Sequence, residues 1–380
     1  MKKLRILLAS VLLLCGCTGP AAVQESTPSP TPEPTPAPVP TPEVCSLDLF
    51  MVGDCLVHDA VFNDALQEDG TYDFTDMFTE IPALLEGYDL RYYNQEAILG
   101  GEELGYSGYP MFNCPSAVGD ALTDMGFNLV SLANNHSLDR GEQGIINSME
   151  YWKAKKDTVT AGTNLSQEER DEIPVYEKNG ISYAFLSWTY GTNGLVTPEG
   201  KEYLVNVYPD HEEEMLNQVR RAKEKADLVL IAMHWGVEYT LQETEEQQRL
   251  AQELADAGAD IIIGCHPHVV EPITWLNDGK TLCIYSLGNF ISAQIDEEKR
   301  VEMAAGVTVT KTVDNGKTTV VVSDPRAQLL YDSYDGNYRN FHVVDLQTTD
   351  DPFLQSLNEK YLPVVKEEMP DIQIGVRMKN

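Results

Sequence analysis

The chain has 380 residues, of which 60 are acidic and 27 basic, giving a formal net charge of −33. This length predicts one large α/β domain with appendages and ample material for a core. Because the negative charge is spread along the whole chain, electrostatic repulsion argues against nucleic acid and anionic lipid head groups as partners.

The N-terminal segment has the pattern of an export signal. Basic residues at positions 2, 3 and 5 precede an apolar run over 6–14, which is far shorter than the roughly 20 residues that span a bilayer. Leu14-Cys15-Gly16-Cys17 is similar to a bacterial lipobox, which predicts a lipoprotein signal peptide over residues 1–16 and lipid attachment to Cys17. An ordinary secretory signal with two incidental cysteines is the alternative. The lipobox predicts a lipid-anchored protein on the extracellular face of the bacterial cell membrane.

Residues 17–44 form a Pro/Thr-rich linker. Alternating proline favours extended polyproline II at about 3.1 Å per residue, so we expect a semi-rigid spacer. The predicted folded part consists of a domain over 45–325 and a C-terminal extension over 326–380 packed on that domain. Five cysteines remain after Cys17, at positions 45, 55, 114, 265 and 283. Because their number is odd and their spacing irregular, we expect mostly free, buried thiols.

Short apolar strands alternate with helices along the predicted domain. In the first half, strands are predicted at 47–52, 90–96, 128–133, 159–163, 175–177 and 181–188, and helices at 76–86, 116–125, 141–155 and 167–172. A loop-rich segment over 191–208 follows. In the second half, strands are predicted at 228–233, 261–263, 281–286, 301–313, 317–322 and 341–346, and helices at 211–226, at 243–257 and near the C-terminus. Asn179-Gly180 and Asn315-Gly316 predict two β-hairpins, and Gly258 predicts a helix C-cap.

Five of the predicted strands end in side chains that bind metals or transfer protons. Successive strand ends present Asp54, Glu96, Asn135 with His136, His234, and His266 with His268. Each has a simpler explanation by itself, namely a Gly-Asp turn, an asparagine cap for the helix at 141–155, or a pair of surface histidines. Because ligands of α/β sheets bind at the carboxyl ends of the strands, the joint pattern predicts one site at one sheet edge.

The types of side chain indicate the chemistry of this site. Imidazole, carboxylate and amide ligands together suit manganese, iron or zinc better than magnesium or calcium, so one or two divalent metal ions are the predicted cofactor. His136, with its ring oriented by Asp139, is predicted to protonate a leaving group. Pro267 is predicted to stiffen the loop that carries His266 and His268 and to favour extended backbone at His266.

Six sequence blocks together resemble the bacterial CapA family of capsule or poly-γ-glutamate synthesis proteins, whose domain is similar to the calcineurin-like metallophosphoesterases. The blocks are Gly53-Asp54, Asn94-x-Glu96, Ala133-Asn-Asn-His136-x-x-Asp139-x-Gly141, His234-Trp-Gly236-x-Glu238, Gly264-x-His266-Pro-His268-Val-Val270 and Tyr285-Ser-Leu-Gly-Asn289-Phe290. The resemblance covers about residues 47–290. It implies a four-layer α/β/β/α metallophosphoesterase-like sandwich with mixed sheets and a site at the strand ends.

The resemblance also implies a role for each residue of the site. The implied metal ligands are the carboxylates of Asp54 and Glu96, the amide of Asn135, and the imidazoles of His234, His266 and His268. His136 resembles the proton donor. The superfamily usually has a histidine two residues after its first aspartate, and Leu56 occupies that position here. His58 replaces this histidine only if the loop curls back, so one of the two metal positions lacks a ligand.

The implied function is that of a lipid-anchored cell-surface protein of capsule or poly-γ-glutamate biosynthesis or attachment, with a metal-dependent hydrolase-like site. Its implied partners are the capsule polymer or its precursor, the membrane through the lipid anchor, and other capsule-synthesis proteins. An extracellular metal-dependent phosphoesterase and a non-catalytic polymer-binding scaffold are the alternatives, because a fold does not fix a reaction. The strong negative charge requires a metal or a local basic patch for binding of a polyanion.

Overall fold

The computed structural model of the chain describes residue 19 and residues 41–378. The predicted signal peptide, the lipidation site at Cys17 and most of the predicted linker therefore lie outside the described residues. Within the described part of the chain, no helix combines the length and the apolar character needed to cross a membrane.

Fifteen strands and eight α-helices make up the described part of the chain. The strands are β1 (Glu43–Cys55), β2 (Leu90–Asn94), β3 (Leu129–Ser131), β4 (Val159–Ala161), β5 (Tyr176–Lys178), β6 (Ile181–Thr189), β7 (Leu228–His234), β8 (Ile261–Cys265), β9 (Ile273–Leu276), β10 (Thr281–Ile284), β11 (Asn289–Ile291), β12 (Val301–Asp314), β13 (Lys317–Ser333), β14 (His342–Asp345) and β15 (Gln373–Ile374). The helices are α1 (Asp59–Ala65), α2 (Pro82–Leu85), α3 (Ala117–Asp124), α4 (Gly141–Ala154), α5 (Gln167–Asp171), α6 (Glu212–Lys225), α7 (Glu245–Ala257) and α8 (Pro352–Val365).

The strands form two mixed sheets. The first sheet has nine strands, seven of them in the order β14-β13-β12-β1-β2-β3-β4, with β11 beside β1 and β15 beside β13. Its β1 to β4 run parallel, and β1, β12, β13 and β14 pair antiparallel in turn, whereas β15 pairs parallel with β13. The second sheet has the order β5-β6-β7-β8-β10-β9. Its four central strands are parallel, and β5 and β9 pair antiparallel at the two edges.

Alternate residues of the strands contact different hydrophobic layers. In β1, Phe50 and Val52 pack with the helices α1 to α4, whereas Leu49 and Met51 pack against the second sheet. In β7 the alternation places Leu228, Leu230 and Ala232 between the sheets, and Val229, Ile231 and Met233 against α6 and α7. Because both faces of β7 and of the inner part of β1 are buried, these stretches are nearly continuous apolar runs. The four-layer α/β/β/α sandwich is confirmed.

Local signals predicted several of these elements correctly. Asn179 and Gly180 have φ of +51° and +78°, and Asn315 and Gly316 have +50° and +80°, as the tight turns of two β-hairpins require. Gly258 ends α7 in the left-handed conformation. All five cysteines within the described residues are free, and four of them are buried.

Two predicted elements differ in the structure, in both cases at a proline. The segment 76–86 is a 3₁₀ turn at Thr75–Phe78 followed by the short α2, because Pro82 suits the first turn of a helix but not its interior. The predicted strand 317–322 continues to Ser333. A β-bulge, at which Asp324 and Pro325 lie opposite Val307, accommodates the proline, which has no N–H to donate to the neighbouring strand.

The C-terminal segment completes the first sheet. The predicted boundary between residues 325 and 326 falls inside β13, and both β14 and β15 pair with that strand. Helix α8 packs its Leu357, Tyr361 and Val365 into the layer between the sheets. The segment 326–378 is therefore a structural part of the domain and shares its core.

Candidate metal centre

The six predicted metal ligands converge at one edge of the sandwich. In the first sheet, Asp54 lies near the end of β1, and Glu96 and Asn135 follow β2 and β3. In the second sheet, His234 is the last residue of β7, and His266 and His268 follow β8. None of the six is more than 3 % exposed. Two groups among them have potential ligand atoms within 4.8 Å of one another. The first ligand set is Asp54, Glu96 and His268, and the second ligand set is Glu96, His234 and His266.

Glu96 belongs to both ligand sets. Its side chain is fully buried, and neither carboxylate oxygen accepts a hydrogen bond from residues 41–378. Oε1 lies 3.6 Å from Nε2 of His234 and 3.7 Å from Nε2 of His268. Burial and the neighbouring Asp54 raise the pKa of the Glu96 carboxyl well above its usual value. A buried carboxylate without partners is costly, and a bound cation removes that cost. The residues therefore fit a divalent ion.

Asp54 is held by donors from both sheets. Nδ2 of Asn94 donates to its Oδ1 at 2.7 Å, and the backbone N–H of His266 donates to its Oδ2 at 3.1 Å. Asn94 is in turn fixed by the hydroxyl of Ser131, which donates to its amide oxygen at 2.7 Å. These bonds orient the carboxylate before any ion binds, as outer-shell partners do in metal sites.

The loop that carries the two histidines is strained. His266 and His268 have φ of +98° and +58°, which side chains with a Cβ rarely adopt. The expectation of extended backbone at His266 is therefore wrong. Tertiary bonds outweigh the local effect of the proline, since His266 donates to Asp54 and the carbonyl of Pro267 accepts from the N–H of Tyr239 at 2.7 Å. Strain of this kind persists only where the surroundings fix it.

The pKa values of the three imidazoles shift in different directions. Burial alone would lower the pKa of His268, but the carboxylates of Glu96 and Asp54 outweigh it and raise that pKa to about 9. Burial and neighbouring imidazoles lower the pKa of His234 and His266 well below the usual value, so both are neutral, as metal ligation requires.

Asn289 fixes the ring of His268, because its Oδ1 lies 2.9 Å from Nδ1 and leaves Nε2 facing Glu96. Reasoning from the sequence assigned no role to Asn289. The only signal for it was its place in the last of the six sequence blocks.

His136 and Asp139 form the predicted pair. Nδ1 of His136 lies 2.8 Å from Oδ2 of Asp139, and the backbone N–H of Phe112 donates to the same oxygen at 2.6 Å. The alternative role of Asn135 as a helix cap does not apply, because α4 begins after Arg140, and Oδ1 of Asn135 lies 2.9 Å from Nε2 of His234.

His58 does not replace the histidine that is absent at position 56. Its ring packs edge-on against Phe112, and Nδ1 lies 2.9 Å from the carbonyl oxygen of Leu56. Within residues 41–378, no group of potential ligand atoms close enough to share an ion includes His58. Burial lowers the pKa of His58 to about 4. The loop after β1 therefore does not curl back onto the centre.

A cavity of about 390 Å³ leads from the surface to this centre. His136, His268 and Asn135 lie in its wall, and Glu238 and Tyr239 are exposed at its edge. Within the described chain, no lysine or arginine lines the cavity. The centre is therefore open to a substrate on one side and closed by the two sheets on the other.

The comparisons with known proteins agree with the motifs. The family model described as "Bacterial capsule synthesis protein PGA_cap" matches residues 48–294. The PGA biosynthesis protein CapA of Bacillus subtilis is 39 % identical over 175 residues, covering 46 % of this chain and 44 % of the relative. The capsule biosynthesis protein CapA of Bacillus anthracis is 35 % identical over 180 residues, covering 46 % and 42 %. The chain thus spans less than half the length of these curated relatives.

Solved structures resemble the chain at low identity. A crystal structure of a novel phosphatase from Mycoplasma pneumoniae is 16 % identical and covers 78 % of this chain and 97 % of its own, with a TM-score of 0.47. A 5'-nucleotidase from Candida albicans is 12 % identical and covers 85 % and 57 %, with a TM-score of 0.38. The family assignment depends instead on the match over residues 48–294, which is most of the chain. The chain therefore belongs to the bacterial capsule synthesis protein family PGA_cap, as its six sequence blocks predicted.

Proposed function

We propose that this protein is a metal-dependent, hydrolase-like enzyme of capsule or poly-γ-glutamate biosynthesis that acts on the polymer or on its attachment. Glu96 is the observation that carries the proposal. Its carboxylate is fully buried without a hydrogen bond from the described residues, and Oε1 lies 3.6–3.7 Å from two imidazole nitrogens. Glu96 and the imidazoles would hold one or two divalent ions of manganese, iron or zinc.

The residues around Glu96 supply the remaining functions. Bound divalent ions stabilise negative charge that develops on the bond being broken. His136 lines the cavity, and its Nδ1 is engaged by Asp139, so Nε2 is the nitrogen that gives a proton to the leaving group. The bond from Phe112 N–H keeps Asp139 in place and thereby fixes the orientation of the imidazole.

The residues that line the cavity indicate the class of substrate that it could bind. Its wall contains the amides of Asn135, Asn193 and Gln294 and apolar groups such as Met111 and Leu195. Amides donate and accept hydrogen bonds and therefore suit the peptide or sugar groups of a polymer. Because no lysine or arginine of the described chain lines the wall, the charge of an anionic substrate is left to the bound ions.

Replacement of the chromosomal gene by a His136→Gln allele tests this proposal. We expect the amount of surface polymer, or the fraction attached to the cell, to fall, as we also expect on deletion of the gene. Unchanged polymer would refute the capsule role. If the purified protein with Mn²⁺ or Zn²⁺ cleaves generic phosphoesters while surface polymer is unchanged, the phosphoesterase alternative holds. Retention of no metal after gentle purification favours the scaffold.

The proposed location is the outer face of the cell membrane, and the support for it is the Leu14-Cys15-Gly16-Cys17 motif. Cys17→Ala should move the protein from the membrane fraction to the medium or leave its signal uncleaved. Cys15→Ala is the matched control and should leave the protein in the membrane fraction. Equal membrane retention of both variants, with normal cleavage, would contradict the lipid anchor.

A further inference from the structure

The two ligand sets are unequal. The second ligand set has Glu96, His234 and His266, and the amide oxygen of Asn135 lies 2.9 Å from His234 Nε2, so four protein groups surround that position. The first ligand set has three, because Leu56 stands where a histidine is usual and His58 packs on Phe112. An ion in the first position therefore lacks one protein donor.

Glu238 places a carboxylate beside one histidine of each ligand set. One of its oxygens forms a group with ring nitrogens of His266 and His268 in which all three atoms lie within 4.8 Å of one another. The side chain is exposed at the edge of the cavity, whereas Glu96 is fully buried. Glu96 and Glu238 therefore approach the imidazoles from the buried and the exposed side, respectively.

The turn that carries Glu238 contacts the loop of His266 and His268 through a hydrogen bond and a ring contact. The N–H of Tyr239 donates to the carbonyl of Pro267 at 2.7 Å, and the Tyr239 ring stacks on the ring of His268 at 6.1 Å. Gly236 has φ of +86° and packs so close to the side chain of Gln247 that a Cβ would lie 2.8 Å from it. The turn is therefore held in one conformation, with Glu238 directed at the centre.

Glu238 forms no close ion pair in the described chain. Across residues 41–378, no lysine, arginine or histidine nitrogen lies within ion-pair distance of its carboxylate. Lys299 contacts the neighbouring Tyr239 ring at 3.7 Å but pairs with Asp296 at 2.7 Å. The carboxylate is therefore free to bind a cation, and a bound cation would reduce its repulsion from the other carboxylates of the centre.

We infer, on the basis of the proposed metal centre, that Glu238 is a further metal ligand that supplies the donor missing at position 56. The first position then has three carboxylates, from Asp54, Glu96 and Glu238, and one imidazole, from His268. The second has one carboxylate, one amide and two imidazoles. Oxygen-rich sets suit Mn²⁺ better than nitrogen-rich ones do, so the two positions should differ in their preference for Mn²⁺ over Zn²⁺.

Titration of the metal-free protein with Mn²⁺ tests this inference, with free Mn²⁺ measured by electron paramagnetic resonance. Glu238→Gln should weaken one of two binding steps at least tenfold and leave the other within about twofold. Glu245→Gln is the matched control, because it removes the same charge from an exposed position at the start of α7. It should bind Mn²⁺ as the wild type does.

The same titration at high salt concentration distinguishes metal ligation by Glu238 from a long-range effect of its charge. The difference between wild type and Glu238→Gln should persist in 0.5 M NaCl, whereas an effect of charge alone is screened over about 4–5 Å at that ionic strength. Equal Mn²⁺ affinities of the two proteins, or a difference that disappears in salt, would overturn the inference but not the proposed function. A wild type that binds neither Mn²⁺ nor Zn²⁺ would overturn both.

Discussion

His136 and Asp139 are the residues of the centre that are arranged for proton transfer. The imidazole is held by the 2.8 Å contact to Asp139, and the carboxylate is held by the N–H of Phe112. Neither residue belongs to a group of potential ligand atoms within the described chain. Loss of the imidazole should therefore change turnover without changing metal binding, which distinguishes a proton donor from a ligand.

Accordingly, His136→Gln should lower kcat about 10²- to 10⁴-fold on whichever substrate the wild type turns over, because general acid catalysis contributes about that much. Metal content per chain, measured by inductively coupled plasma mass spectrometry, should stay at the wild-type value. His211→Gln is the control, since that imidazole is about half exposed and lies far along the chain at the start of α6. A loss of metal in His136→Gln would assign the residue to the ligands instead.

Asp332 is a buried acid on β13, outside both ligand sets. It is fully buried, and its Oδ1 accepts no hydrogen bond from the described residues, while Oδ2 accepts from the N–H of Ser292 at 2.8 Å. Burial raises the pKa of Asp332 from 3.8 to about 7. The folded protein therefore holds a proton that the unfolded chain releases. Its stabilising contribution is complete below pH 3.8 and is lost as the pH rises from there to about 7.

Asp332→Asn keeps this side chain neutral at every pH. At pH 8 the variant should have a free energy of unfolding about 1–3 kcal/mol above that of the wild type, because the wild type then buries an ionised, partly unsatisfied carboxylate. At pH 4 the gain should vanish. Urea unfolding at the two pH values measures the difference, with the exposed Asp371→Asn as the control. A gain that is equal at both pH values would contradict the assignment.

Strand β8 leads directly into the loop that carries His266 and His268 at the edge of the second sheet. A Cβ on Gly264 would lie 1.8 Å from the carbonyl oxygen of Tyr285, so the backbone after β10 passes directly against this glycine. His266 begins the strained part of the loop two residues later. This close contact therefore fixes the position of the loop, and with it the positions of the His266 and His268 imidazoles relative to the sheet.

Gly264→Ala should accordingly lower the free energy of unfolding by about 1–3 kcal/mol or more, because backbone atoms must move to admit the methyl group. The affinity for Mn²⁺ should fall as well, since the loop moves with the strand. Gly336→Ala is the control, with open space around its Cβ and no positive φ. Thermal and urea unfolding of both variants measure the effect, and a Gly264→Ala protein as stable as the control would contradict the predicted contact.

For the whole molecule, the centre joins the two sheets. Asp54 lies near the end of β1 and Glu96 follows β2 of the first sheet, whereas His234 ends β7 and His268 follows β8 of the second. An ion bound by both groups therefore stabilises the folded sandwich against the unfolded chain, in which these residues are far apart. It also compensates for the buried carboxylate of Glu96.

Removal of metal with a chelator should therefore lower the Tm of the wild type. At an ion concentration 100 times the Kd, binding contributes about 2.7 kcal/mol of stability. Glu96→Gln should show little or no response to added Mn²⁺, and without metal it should be at least as stable as the metal-free wild type, because the amide removes a buried charge. Differential scanning calorimetry of both proteins, with and without Mn²⁺, measures this. An equal Mn²⁺ response would remove Glu96 from the ligands.

Much of the fold could be predicted from short stretches of the sequence. Hairpins at Asn179-Gly180 and Asn315-Gly316, the C-cap at Gly258 and the apolar strands were predictable because each depends on a few neighbouring residues. The candidate ligands were predictable for the same reason, since each polar group directly follows an apolar strand. Family membership was also predictable, because six spaced sequence blocks are far more specific than any one of them.

The tertiary structure alone decided which of these groups meet. The position of His58 against Phe112, the positive φ of His266 and the place of Glu238 beside two imidazoles all depend on contacts between distant parts of the chain. The continuation of β13 past Pro325 likewise depends on a bulge opposite β12. A sequence specifies such features only through the packing of the complete sheets. The register of a strand and the position of a loop depend on contacting residues that lie tens to hundreds of positions away in the chain.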